Sequence, residues 1–206
     1  MILNVGNAAD YIRQQIEKLP HGFSHACLKV LNNKQFRLWP AAVAKHQPYP
    51  GGLCLHTAEV LQIALATASA SCIKLNETVL ITAAIFHDYG KLWDMAVKDK
   101  DKYFQIETNW DINRTIMFAD AAIVWEKVPH RYLVRHVARS YSEWMIESTA
   151  QGIGDPMQLD IAHAIGAHHG KLEWNALAEP QTIEAQILFH SDLISARYPT
   201  TAPLGS

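Results

Sequence analysis

Apolar residues in this chain recur at three- and four-residue spacing through most of its length, and no Asn-Gly type of hairpin signal separates alternating runs. That pattern constrains the fold more than any other feature. A period near 3.6 aligns apolar side chains on one face of a helix, whereas a strand needs a period of two. The spacing predicts helices over 7–19, 24–32, 53–73, 76–88, 111–126, 130–149, 157–168 and 180–197, so the expected fold is all-α, a compact single-domain helical bundle. Leu19-Pro20-His21-Gly22 ends the first helix, and Pro48-Tyr49-Pro50-Gly51-Gly52 sets the start of the third. Neither reads as a domain linker, and no internal repeat is evident. Residues 94–110 form the longest polar, weakly periodic stretch, either a substrate-facing loop or a solvated connection.

Length and composition narrow the class. A chain of 206 residues fits a single core, and an apolar share of 49% with 18% charged residues is that of an ordinary globular protein. Cys27, Cys54 and Cys72 form an odd set without a CxxC pair, which excludes a zinc finger and suits a reducing compartment. No stretch of 18 or more apolar residues occurs, and the N-terminus lacks a basic segment followed by an apolar run. A soluble, cytoplasmic protein with no membrane partner is expected. The net charge of −2, with Lys and Arg scattered, argues against long duplex nucleic acid as a partner.

Histidine is the outlier: there are eleven, several beside carboxylates or each other. The sharpest local signal is Phe86-His87-Asp88-Tyr89-Gly90-Lys91, where an apolar helix runs into adjacent His and Asp. Alone, this could be a helix C-terminus closed by Gly90. Three further positions add weight. His56 opens the helix before it, His168 and His169 end another apolar helix ahead of Gly170, and Asp192 lies among apolar neighbours, where a carboxylate is costly to bury unless paired or metal-bound. Imidazole with carboxylate suits borderline divalent ions, so one or two of Mn, Fe, Ni, Co or Zn are the expected cofactors.

The order His, His-Asp, Asp resembles the HD superfamily of metal-dependent phosphohydrolases, and His56, His87, Asp88 and Asp192 match it. Within that superfamily the chain resembles in particular the HD domain of YhaM-type 3′–5′ exoribonucleases. The segments that carry this are Trp39-Pro40-Ala41-Ala42 through His46 to Gly52-Leu53 and His56-Thr57, then His87 to Lys91, His168 to Trp174, and Glu184-Ala185 through Leu188, His190 and Asp192. The resemblance spans roughly residues 36–197 and implies an HD-type domain over 36–198, preceded by a helical segment 1–35 and followed by a flexible tail 199–206. The residues ahead of His56 look helical, so the OB-fold module that precedes the domain in those enzymes is not expected here. The family also carries a histidine on a middle helix; of the two candidates His130 and His136, the Arg-His-Val-Ala context favours His136.

The resemblance implies that His56, His87, Asp88 and Asp192 hold one ion, that His136 and His168, with His169, supply a second, and that Asp88 bridges them. Water activated by metal would attack a phosphate ester of a nucleotide or short oligonucleotide, as a phosphodiesterase or a nucleotidase. Lys91 and Arg139 are the candidates for phosphate oxygens, against the plainer readings of an exposed lysine and a surface ion pair. Tyr89 and Trp174 are candidates for stacking a base, against core packing. His46 and His190 match family positions but could equally be supporting or core histidines. His21, His25 and His163 read as structural or exposed; His163 lies about 140° around an ideal helix from His168. Glu59, three residues after His56, could orient that ligand, though an exposed acid near a helix N-terminus is the simpler account. Glu173 is expected to be solvated. The alternatives from other classes are a regulatory domain that binds metal or nucleotide without turnover, and a purely structural bundle.

Overall fold

The structure, a computed structural model, describes residues 2–98 and 124–198. Among them are eight α-helices: α1 (Val5–Ile16), α2 (His21–Asn32), α3 (Lys34–Leu38), α4 (Gly52–Ala70), α5 (Glu77–Phe86), α6 (His136–Ala150), α7 (Met157–Ala167) and α8 (Ile183–Arg197). Three 3-10 turns, Tyr89–Trp93, Pro129–Tyr132 and Leu172–Trp174, join them. The fold is all-α as the periodicity requires, with one addition: β1 (Met95–Val97) pairs antiparallel with β2 (Trp125–Lys127), Met95 opposite Lys127 and Val97 opposite Trp125. Three residues per strand are too few to register as alternation.

Helix starts follow the side chains available to cap them. Asn4 accepts from the amides of Gly6 and Asn7 while Asn7 reaches back, a capping box. Asn33, Asn76 and Thr182 cap α3, α5 and α8 by accepting from first-turn amides, without the reciprocal bond. α4 has no side-chain cap and starts after Gly51 in the left-handed region (φ 81°).

α4 and α5 form the centre. Every residue from Val79 to Phe86 is buried, as is every residue from Gly52 to Leu61, so both helices are enclosed on several sides. α4 packs on α1, α3, α5 and α8, and α5 on α2, α4, α7 and α8. By length and composition α4 could cross a membrane, yet it is mostly enclosed by the bundle and carries buried His56 and Glu59. α1 and α2 share this core through Ile12, Ile16, Cys27 and Val30. Trp144 of α6 is fully buried beside Phe23 and Phe86, and its indole N–H donates to the carbonyl of Gln158 at 2.9 Å.

Several expected boundaries shift. α5 ends at Phe86 rather than 88, because the chain tightens into the 3-10 turn that carries Tyr89 to Trp93. The helix expected from 130 begins at His136; Tyr132, Leu133 and Val134 supplied apolar periodicity but are exposed, and Arg135 is extended. α3 was not expected, five residues being too short to show a period. Of the helix expected over 111–126, Trp125 and Glu126 lie in β2 and residues 111–123 lie outside the described residues, as do residues 99–110 of the polar stretch and the tail 199–206.

Gly90 does not close a helix. A Cβ there would stand 2.2 Å from the carbonyl oxygen of His136 and 2.8 Å from the amide nitrogen of Ser140, and the Gly90 amide donates to Ser140 Oγ at 2.8 Å. Glycine is required because the turn after Asp88 lies directly against the first turn of α6.

Candidate metal centre

That contact helps bring five helices together around one point. α4 brings His56 near its start, the end of α5 brings His87 and Asp88, α6 brings His136 as its first residue, the end of α7 brings His168 and His169, and α8 brings Asp192. The donor atoms of His56, His87, Asp88 and Asp192 lie within 4.8 Å of one another, and so do those of His136, His168 and His169. The Asp88 carboxylate stands between the two sets. Its Oδ2 is 3.3 Å from His56 Nε2 and 3.4 Å from His87 Nε2; its Oδ1 is 3.5 Å from His136 Nε2 and 3.8 Å from His168 Nε2. Asp192 Oδ1 lies 3.0 Å from His56 Nε2 and 3.8 Å from His87 Nε2.

Each of the five histidines has Nδ1 engaged elsewhere, leaving Nε2 turned to the centre. His87 donates to the Ala84 carbonyl at 2.7 Å, His168 to that of Ile165 at 2.7 Å and His169 to that of Trp174 at 2.6 Å. His56 Nδ1 meets Ser195 Oγ at 2.9 Å, and His136 Nδ1 meets Asp94 Oδ2 at 3.3 Å. A carbonyl or carboxylate behind an imidazole sets the tautomer with its lone pair on the other nitrogen, as a metal requires. His87 Nε2 and His168 Nε2 are buried with no hydrogen-bond partner, a costly condition unless a cation satisfies them. The residues present therefore fit divalent metal.

Electrostatics agree. Burial alone would raise the Asp88 pKa, but Lys91 and His87, with His56 beside them, hold it well below the ordinary carboxylate range. Asp192 is likewise held low against its burial, chiefly by His56. Burial, with His169 and His87 beside it, pushes His168 well down, and burial with His136 lowers His169, so both imidazoles are neutral donors. For His56, burial would lower the pKa, but hydrogen bonds to Asp192 and Asp88 outweigh it and raise it.

His136 lies in one of the two donor sets, whereas His130 is exposed outside both. His46 lies tilted against the His56 ring with centroids 4.9 Å apart, with burial driving its pKa down to about 3, but belongs to neither donor set. His190 is exposed beside Phe189, and Glu173 is exposed. His163 accepts from the Gln181 amide at 2.9 Å, a structural role, and His21 stacks on His25 away from the centre. Lys91 is not an exposed lysine: its ammonium lies 2.5 Å from Asp88 Oδ2 with 13% of the side chain accessible. Arg139 has its guanidinium over the Trp93 ring at 5.4 Å, and its Nε is buried without a partner. Trp174 is 42% exposed, with Lys171 Nζ 5.0 Å over its ring.

Two expectations are corrected. Tyr89 cannot stack a base from this position: it is 8% exposed, packed among Phe36, Phe86 and Trp93, and its hydroxyl takes a hydrogen bond from Asn33 Nδ2 at 2.9 Å. Glu59 is not an exposed acid but is 4% accessible and accepts from Ser195 and Gln47. Asp94 went unnoticed in the sequence because it opens a polar stretch; it is buried, and it holds both His136 and Arg131, the latter at 3.2 Å.

Seven convergent His and Asp donors on a helical core define a class: an all-α domain with a two-part histidine–aspartate cluster that could hold divalent cation. The HD-domain family model matches residues 54–197, which include all of those donors, and the chain belongs to that family. It is similar to the 3'-5' exoribonuclease YhaM of Bacillus licheniformis, 26% identical over 164 residues, 80% of this chain and 44% of that protein. The protein of the same name from Listeria welshimeri is 25% identical over 197 residues, 94% of this chain and 55% of that one, and the Bacillus subtilis protein is 26% identical over 163 residues. The chain spans about half the length of the curated relatives it matches. No solved structure matches it.

Proposed function

We propose that this domain is a metal-dependent phosphohydrolase that cleaves phosphate esters of nucleotides or short oligonucleotides, with phosphodiester bonds of oligoribonucleotides as the first substrate to test. The observation that carries the reading is the Asp88 carboxylate, one oxygen facing His56 and His87 and the other facing His136 and His168. In this reading His56, His87, Asp88 and Asp192 hold one ion, and Asp88, His136, His168 and His169 a second. Metal so placed supplies a water of lowered pKa and neutralises phosphoryl oxygens. Lys91 and Arg139 are the proposed phosphate contacts, both close to the turn that carries Asp88. Trp174 is the proposed stacking platform: its carbonyl anchors His169 while its exposed ring faces outward from the same turn. The relatives' name, 3'-5' exoribonuclease, supports the diester side of the choice.

The test is to add Mn²⁺ to chelator-stripped protein and offer bis-p-nitrophenyl phosphate, a panel of mononucleotides and a short labelled RNA, with Asp88→Ala as control. Stepwise shortening of the RNA from its 3′ end, absent in Asp88→Ala, supports the diesterase. Release of phosphate from mononucleotides alone makes the protein a nucleotidase. No turnover of any substrate by protein that binds metal refutes the hydrolase reading and leaves a metal- or nucleotide-binding regulatory domain.

A further inference from the structure

Glu59 is a buried carboxylate outside both donor sets. Burying a carboxylate is costly unless its lone pairs are hydrogen-bonded. Here Gln47 Nε2 donates to its Oε2 at 2.6 Å and Ser195 Oγ donates to the same oxygen at 2.7 Å. Ser195 Oγ also lies 2.9 Å from His56 Nδ1. A hydroxyl has one proton to give and a carboxylate has only lone pairs to offer. The Ser195 proton therefore goes to Glu59, and the hydrogen of the His56–Ser195 contact must sit on Nδ1. His56 Nε2 is then the nitrogen aimed at Asp192 Oδ1 and Asp88 Oδ2.

The arrangement is written into two helices. Asp192 and Ser195 are three residues apart on α8, as His56 and Glu59 are on α4, so each pair occupies one face. The His56 ring lies between the two α8 residues, with one nitrogen to each. Gln47 reaches Glu59 from the loop before α4. It is a non-glycine residue at φ 38°, a conformation that costs free energy and persists where the surroundings impose it. Gly52 makes room for it, since a Cβ at 52 would stand 2.1 Å from the Gln47 carbonyl oxygen. His87, His168 and His169 lean instead on backbone carbonyls, which any side chain at those positions would leave in place.

We propose that Glu59, acting through Ser195 and braced by Gln47, is the positioning group for His56, fixing its tautomer and ring orientation toward a cation held with His87, Asp88 and Asp192. The inference rests on the ligand assignment made under Proposed function and adds to it residues that touch no metal. Loss of such support typically weakens metal binding about 10–100-fold.

The test compares Mn²⁺ affinity, by calorimetric titration of the chelator-stripped full chain, in the wild type, His56→Ala, Ser195→Ala and Glu59→Gln, together with thermal melting of each in EDTA. The expected result for Ser195→Ala is a loss of about 10–100-fold in affinity at one class of site, the other class unchanged and the melting temperature in EDTA preserved. Glu59→Gln should lose less, because its amide oxygen still accepts from Ser195, and it decides the matter should Ser195→Ala fail to fold. Wild-type affinity in both variants alongside weakened binding in His56→Ala overturns the relay and leaves the ligand assignment standing. Wild-type affinity in His56→Ala overturns the ligand assignment and the relay with it. A lowered melting temperature in EDTA with affinity intact makes the network structural only and also overturns the proposal.

Discussion

A single methyl group at residue 90 would press on the backbone of α6, because the built Cβ falls 2.2 Å from the His136 carbonyl oxygen. Neither atom is the end of a flexible side chain, so the Asp88 turn and His136 must move apart. Gly90→Ala is expected to cost about 1–3 kcal/mol, as overpacked cores do, and to weaken cation binding by separating Asp88 Oδ1 from His136; a denaturant melt and a Mn²⁺ titration read the two effects. The thiols give a second residue-scale prediction. Burial pushes Cys27 and Cys54 up to about 12, whereas Cys72 is exposed. The thiolate is the reactive form, so a chromogenic disulfide at neutral pH should label Cys72 alone in the native protein and all three cysteines after unfolding. Labelling of Cys27 or Cys54 in the native state would contradict the packing of α2 on α5 and of α4 in the core. At this scale the sequence was informative where chemistry is concentrated: His87-Asp88, His168-His169 and Asp192 each stand out because polar donors end or interrupt apolar helices. It was uninformative for Asp94 and Ser195, where a buried supporting residue has the same letter as a solvated one. Tyr89 misled for the converse reason, since adjacency to a ligand says nothing about which way the ring turns.

The helices owe their positions to caps as well as to burial. Asn76 Oδ1 accepts from the amides of Thr78 and Val79, and its own amide donates to Glu184 Oε1 at 2.7 Å, tying the start of α5 to the first turn of α8. Asn76→Ala removes the side-chain cap and leaves the backbone tie. It should destabilise the fold by about 1 kcal/mol, seen in a urea melt, without altering cation affinity, because Asp88 lies at the opposite end of α5. Periodicity was a sound guide for α4, α5, α7 and α8, whose apolar runs are long and whose starts are marked by Gly, Asn, Pro and Thr. It failed around α6. There the exposed Tyr132, Leu133 and Val134 continue an apolar pattern across a segment outside the α-helix, which begins at His136, the residue packed against Gly90.

For the whole molecule, the centre is where separate parts of the bundle meet, so cation binding and folding should be coupled. α4, α5, α6, α7 and α8 each end or pass there, and the His87 and His168 Nε2 atoms remain buried without partners. A ligand that binds only the folded state stabilises it by RT ln(1 + [L]/Kd), about 2.7 kcal/mol at a hundredfold excess over Kd. For a chain of this size that corresponds to a rise in Tm of about 5–10 °C per ion. The donor sets predict how the rise divides. His169 belongs to one set only, so His169→Ala should lose the contribution of one ion and keep that of the other. Asp88 faces both, so Asp88→Ala should lose nearly all of the rise. The increment on adding Mn²⁺ to each EDTA-stripped variant is the quantity to compare, because Asp88→Ala also deprives Lys91 of its 2.5 Å partner and shifts the metal-free baseline. Equal increments in both variants would mean that Asp88 does not join the two halves of the centre.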